Sequence, residues 1–134
     1  MKKKLNCILL VDDNDADNKF HQTIIEEADI AERIDVVENG IDAIAYLERE
    51  GQTPPDLIFL DINMPKMNGW EFLDAYKKIK DGSRSKVIVM LTTSQNPEDR
   101  SRAKEIKEVN GFQVKPISVE ALKEIVGKYF ADQL

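Results

Sequence analysis

Apolar residues follow two rhythms along this chain. Five short runs have strand length, at residues 7–11, 34–37, 57–60, 87–91 and, more weakly, 112–114. Three of them are almost uninterrupted in apolar character, which suits strands buried on both faces of a parallel sheet. Between the runs, apolar residues recur at helical spacing. Phe20, Ile24 and Ala28 form one stripe; Ile41, Ile44, Ala45 and Leu47 a second; Phe72, Leu73, Tyr76 and Ile79 a third. Ala103, Ile106 and Val109 make a narrower fourth, and Leu122, Ile125, Val126 and Tyr129 a fifth.

Start signals agree with this reading. Asn39 is placed to cap the second helix and Ser118 the last. Asn96-Pro97-Glu98-Asp99 combines a capping side chain, a proline for the first turn and acids near the positive helix end. Strands alternating with helices imply βαβ units with right-handed crossovers. The expected fold is α/β: a flavodoxin-like (βα)5, doubly wound parallel sheet of strand order 2-1-3-4-5, in a three-layer sandwich.

Composition narrows the classes. The 134 residues suit one domain, expected to span 1–134 with its core at about 6–132. The fifth helix is expected to end essentially at Leu134, leaving no output domain. Hydrophobic residues make up 42% of the chain, enough for a core, and the formal net charge of −6 argues against a nucleic-acid or anionic-membrane surface. The single cysteine, Cys7, forms no intramolecular disulfide and reads as a small buried hydrophobe. Lys2-Lys3-Lys4 reads as a solvated tail, because the apolar run after it is too short for a signal peptide or a membrane span. The expectation is a cytoplasmic protein.

In such a sheet all strand carboxyl ends share one edge, and ligands bind there. Asp12-Asp13 follow strand one, Asp61 ends strand three, Thr92-Thr93 follow strand four and Lys115-Pro116 follow strand five. Strand two offers only Glu38 and Asn39, at the edge of the sheet. Three clustered carboxylates repel one another, so they call for a divalent cation or a raised pKa. Hard oxygen ligands suit Mg2+, and the lack of a His or Cys cluster disfavours zinc. Lys115 adds a point charge and Thr92 a hydroxyl donor. Such parts could stabilise in-line phosphoryl transfer to a carboxylate.

Four segments carry a resemblance. They are Leu10-Val11-Asp12-Asp13-Asn14; Leu60-Asp61-Ile62-Asn63-Met64-Pro65-Lys66-Met67-Asn68-Gly69; Leu91-Thr92-Thr93-Ser94; and Phe112-Gln113-Val114-Lys115-Pro116. In order, and each at a strand end, they make the chain resemble response-regulator receiver domains of the chemotaxis type, here a stand-alone regulator of a bacterial two-component system. The resemblance implies Asp61 as phosphoacceptor. It implies Asp13, Asp61 and the backbone carbonyl of Asn63 as Mg2+ ligands (Mn2+ being an alternative ion), with Asp12 acting through a metal-bound water. Thr92 falls at the switch hydroxyl, Lys115 at the site lysine and Phe112 at the aromatic switch position. Asn63 and Ser94 fall where dephosphorylation is tuned, and the bond to Pro116 is a cis candidate.

The implied role is signalling rather than enzymatic turnover, beyond the domain's own phosphorylation and slow self-dephosphorylation. A histidine kinase or histidine phosphotransfer protein supplies the phosphoryl group. The face of helix four, strand five and helix five then signals to a downstream protein, with the chain a monomer or a phosphorylation-linked dimer. No nucleic acid or membrane is engaged directly.

Blander readings stand beside these. Asp12 and Asp13 could simply start a helix, Asp61 could cap a turn with Asn63, and Lys115 could be an exposed loop residue. Phe112 could merely fill the core. His21 reads as a solvated residue, Trp70 as packing, and Tyr129 and Phe130 as core and rim of the last helix. Three rival functions also start from these residues. A haloacid-dehalogenase-type phosphatase wants a second Asp where Asn63 stands. A flavodoxin-like FMN binder wants a phosphate loop where Asp12-Asp13 would repel one. A pseudo-receiver, a phosphate-independent binding module, is disfavoured because every acidic and switch position is intact.

Overall fold

The computed structural model describes residues 4–131. The elements are β1 (Leu5–Val11), α1 (Asp15–Ala28), β2 (Ala31–Val37), α2 (Gly40–Glu48), β3 (Leu57–Leu60), α3 (Gly69–Tyr76), a 3-10 turn (Asp81–Ser83), β4 (Val87–Thr92), α4 (Pro97–Glu105), β5 (Gly111–Val114) and α5 (Val119–Tyr129). The five strands pair in parallel in the order β2-β1-β3-β4-β5. This is the flavodoxin-like doubly wound fold, in the strand order expected. Lys2 and Lys3, and the expected end of the last helix at Leu134, lie outside the described residues. Lys4 is not simply solvated, since it pairs with Asp29 at 2.6 Å.

Period-two alternation explains the unbroken apolar strands. Leu9 and Val11 of β1, Ile58 and Leu60 of β3, and Ile88 and Met90 of β4 point into one layer, against Ala43 and Leu47 of α2 and Phe72, Leu73 and Tyr76 of α3. Ile8, Leu10, Leu57, Phe59, Val89 and Leu91 point into the other, against Ile25 of α1 and Leu122 and Val126 of α5. Slipping a central strand by one residue would swap two apolar sets, so polar loop and cap positions must help to fix the register.

Helix starts are set by side chains. Asn14, Asn39, Asn68, Asn96 and Ser118 each accept a backbone N–H in the first turn of the helix that follows. Asn68 and Glu71 close a reciprocal capping box at α3, which the sequence reading did not single out.

Two helical stripes differ from expectation. On α1 the buried residues are Asn18, His21 and Ile25, while Phe20 is 47% exposed. The inward face therefore lies beside the predicted Phe20–Ile24–Ala28 line, because two polar residues on it find partners inside. On α4 the helix ends at Glu105, and Ile106 turns extended. Ile106 and Val109 still pack against the core, but from the connection to β5. Trp70 is buried in packing, as expected, and Phe130 is more buried than Tyr129.

One close approach sets the floor of the carboxyl edge. The N–H of Gly69 donates to Ile62 O at 2.8 Å, and a Cβ at Gly69 would lie 2.4 Å from the backbone oxygen of Asp61. Only glycine lets α3 start this near to β3. Gly69→Ala is expected to cost about 1–3 kcal/mol of stability by overpacking against backbone. Urea unfolding measures this, and an unchanged midpoint would mean that α3 shifts without cost.

Candidate functional site

The sheet order decides which loops meet. β1 and β3 are neighbours, and β1 leads to one face of the sheet while β3 leads to the other, so a crevice opens between their carboxyl ends. Asp12 follows β1, Asp61 follows β3, and the register sets Val11 beside Leu60. Asp61 N–H also donates to Val11 O at 3.0 Å, extending the ladder into the site. Carboxylate oxygens of Asp12, Asp13 and Asp61 lie within 4.8 Å of one another. Asp12 and Asp61 are buried, whereas Asp13 is exposed at the rim.

Lys115 enters from β5, two strands away from Asp61. Its Nζ donates to Asp12 Oδ2 at 2.5 Å, Asp17 Oδ2 at 2.8 Å and Asp61 Oδ2 at 3.2 Å. The peptide joining it to Pro116 is cis. Burial works against the lysine's charge, but the hydrogen bonds to Asp12 and Asp17 outweigh it and hold its pKa above the ordinary value. It is therefore charged at neutral pH. Burial pushes the Asp61 carboxyl above its ordinary value; Lys115 pulls it down, and Asp12 beside it pushes it up again. Its Oδ1 accepts the Ile62 N–H at 2.8 Å, which fixes the carboxylate plane.

One ammonium thus faces four carboxylates, and it reaches Asp12, Asp17 and Asp61 but not Asp13. The excess negative charge and the all-oxygen donor set fit a hard divalent cation. Asp12, Asp13 and Asp61 could hold it.

Thr92, the last residue of β4, is fully buried, and its hydroxyl accepts the Ser94 N–H at 3.3 Å. Ser94 Oγ donates to Asp99 Oδ2 and accepts from the Asn96 N–H, so it stiffens the loop into α4. Asn63 is exposed two residues beyond Asp61. Phe112 sits half-buried on β5, with the Arg100 guanidinium 5.0 Å from its ring centroid. Beside it, Arg102 of α4 stacks on Trp70 at 4.3 Å.

Three residues escaped the sequence reading. Asp17, an acid in the first turn of α1 that the sequence reading did not single out, binds Lys115. Asn18 donates to the Asp12 backbone oxygen at 2.9 Å and so fixes the strand end. His21, read as solvated, is buried beside the site, with its Nε2 3.5 Å from the Ile117 N–H. The available signal was spacing: Asp17 and His21 lie one helical turn apart, on one face of α1. At the opposite edge, buried Asp56 accepts the Asn6 N–H at 2.6 Å and ties β1 to β3.

A doubly wound α/β protein with a lysine-bridged acidic pocket at its switch point is the class that this geometry defines. The sequence profile described as the response regulator receiver domain matches residues 8–127, and the chain belongs to that family, a component of two-component signal transduction. Response regulator Rcp1 of Synechocystis sp. is 35% identical over 123 residues, covering 89% of this chain and 82% of its own length. Among solved structures, a two component response regulator from Cytophaga hutchinsonii superposes with a TM-score of 0.87 at 32% identity, covering 96% of this chain and 99% of that one. The phosphorylated cyanobacterial phytochrome response regulator RcpA superposes at 0.77 with 31% identity, and the Mn2+-bound form of Rcp1 at 0.74 with 29%; each covers 96% of both chains. Among the described residues, no helix is long and apolar enough to cross a membrane.

Burial lowers the pKa of His21 below its ordinary 6.5, and the nearby Lys115 charge adds to this. The unfolded chain therefore takes up the proton first, and this contribution to stability is lost as pH falls below the ordinary histidine value. Between about pH 8 and 5 the natural protein is expected to lose more thermal stability than His21→Gln. Equal slopes would show that the imidazole titrates alike in both states.

Proposed function

We propose that this receiver domain takes a phosphoryl group onto Asp61 from a phosphohistidine of a histidine kinase or phosphotransfer protein, and signals the event to a downstream protein. The observation that carries the reading is the Lys115 ammonium bridging Asp12 and Asp61 across the carboxyl ends of the sheet. In the transfer an Asp61 oxygen bonds to phosphorus as the bond from phosphorus to the donor nitrogen breaks, and the electron pair leaves with the imidazole. Asp61 needs no deprotonation step when it starts as the carboxylate that Lys115 favours.

Mg2+, or Mn2+, held by Asp13, Asp61 and the Asn63 carbonyl, with Asp12 acting through a water, would neutralise charge on the transferred group. The relatives support this, since one solved neighbour is phosphorylated and another binds Mn2+. Lys115 then donates to the new phosphoryl oxygens, and Thr92 moves to do the same. That vacates space behind β4. Phe112, on the neighbouring strand and paired in register with Met90, turns inward and leaves the Arg100 guanidinium. The face of α4, β5 and α5 is thereby remade, and a partner that prefers the new face shifts the population. Asn63 and Ser94 tune loss of the phosphoryl group by controlling water at its edge. A monomer or a phosphorylation-linked dimer, working in the cytoplasm and without binding nucleic acid, fits this role.

Intact-mass analysis after incubation with acetyl phosphate tests the reading. The natural protein is expected to gain one phosphoryl group only with Mg2+ present, and Asp61→Asn to gain none. A folded, Mg2+-binding protein that gains nothing would point to a phosphate-independent binding module. Mg2+ alone is expected to raise the thermal midpoint, because it binds the folded state only, and Asp13→Asn to lose most of that shift. An undiminished shift in Asp13→Asn would place the ion elsewhere.

A further inference from the structure

We infer that Asp17 is a positioning residue for Lys115, and that its hydrogen bond is the one the lysine gives up when a phosphoryl group arrives on Asp61. This rests on the receiver chemistry proposed above and concerns how that site is regulated. An ammonium has three N–H donors. All three are engaged here, by Asp12, Asp17 and Asp61. The Lys115 side chain is 6% exposed, so water does not mediate easily. A phosphoryl oxygen can therefore gain the lysine only by replacing a carboxylate.

The three carboxylates do not part with it equally. The Asp12 side chain is 7% exposed, and its Oδ1 is committed to the Asn14 N–H. Removing the lysine would leave a buried carboxylate without its counter-charge, which is strongly unfavourable. Asp61 is itself the group that becomes the acyl phosphate, so its contact is carried over to the product. Asp17 is 35% exposed, so water can take the lysine's place. It also sits in the first turn of α1, where the helix dipole stabilises an unpaired carboxylate. Asp17 thus draws Lys115 toward α1 at rest and competes with the phosphoryl group for it.

The experiment follows phosphorylation of the whole chain by acetyl phosphate at saturating Mg2+ and subsaturating donor, using intact mass against time. In this reaction the phosphorus–donor bond breaks and its electron pair leaves with acetate. Asp17→Asn is expected to raise the rate about two- to fivefold, the worth of one partly exposed ion pair. Asp17→Glu, which keeps the charge, is expected to return the rate toward that of the natural protein. Asp15→Asn removes an exposed charge from the same turn that does not pair with Lys115, and is expected to leave the rate close to natural. In a Lys115→Gln background, slow as it is, Asp17→Asn is expected to change nothing. An unchanged or slower Asp17→Asn, an equal gain from Asp15→Asn, or a gain that survives without Lys115 overturns the assignment. A natural protein that takes no phosphoryl group would sink the receiver chemistry as well; a phosphorylated natural protein with an indifferent Asp17→Asn sinks this inference alone.

Discussion

One buried ammonium organises the carboxyl edge of this molecule. Lys115 stands where two stretches of chain, distant from it and from each other in sequence, bring carboxylates together, and it donates to Asp12 and Asp17 of the one and Asp61 of the other. Without a cation there, burial of Asp12 beside Asp61 would be self-defeating, since like charges in a poorly solvated pocket drive each other toward the neutral form. The arrangement is therefore stable only in part at rest. One lysine does not neutralise four acids, and the remaining charge is what makes the pocket receptive to a divalent cation.

The sheet supplies the rigidity that this arrangement needs. β1, β3 and β4 are covered on both faces, so the ends that carry Asp12, Asp61 and Thr92 cannot drift independently. Polar contacts finish the job at atomic scale. Asn18 pins the Asp12 backbone, Ile62 N–H holds the Asp61 carboxylate, and Gly69 lets α3 close beneath it.

The periphery is built more loosely. Only Ala103 of α4 is buried, and the helix also meets its neighbours through Ser94 on Asp99, Arg100 on Phe112 and Arg102 on Trp70. Cation–π contacts at a partly exposed surface are worth roughly 0.5–1 kcal/mol each. α3, by contrast, buries Gly69, Trp70, Phe72, Leu73 and Tyr76. Burial is thus divided unevenly between the two halves of one layer.

The strands, and the residues that follow them, were legible in the sequence because they rest on local pattern; the strand order came with the fold type that the pattern resembles. Continuous apolar runs can be satisfied only by a sheet covered on both sides, and residues just after such strands must share one edge. Asparagine and serine caps marked several helix starts for the same local reason. What tertiary structure alone decided lies where polar groups are buried. The inward face of α1 carries Asn18 and His21, whose place there depends on Asp12 and Ile117. Hydrophobic periodicity assigns such residues to water and so pointed to Phe20 instead. The end of α4 at Glu105, with Ile106 and Val109 packing from a loop, depends on where the core surface lies. Asp17's engagement with Lys115 joins positions 98 residues apart. No local rule of propensity or spacing encodes such a pairing; it exists because the sheet brings a lysine from its last strand to the first turn of its first helix.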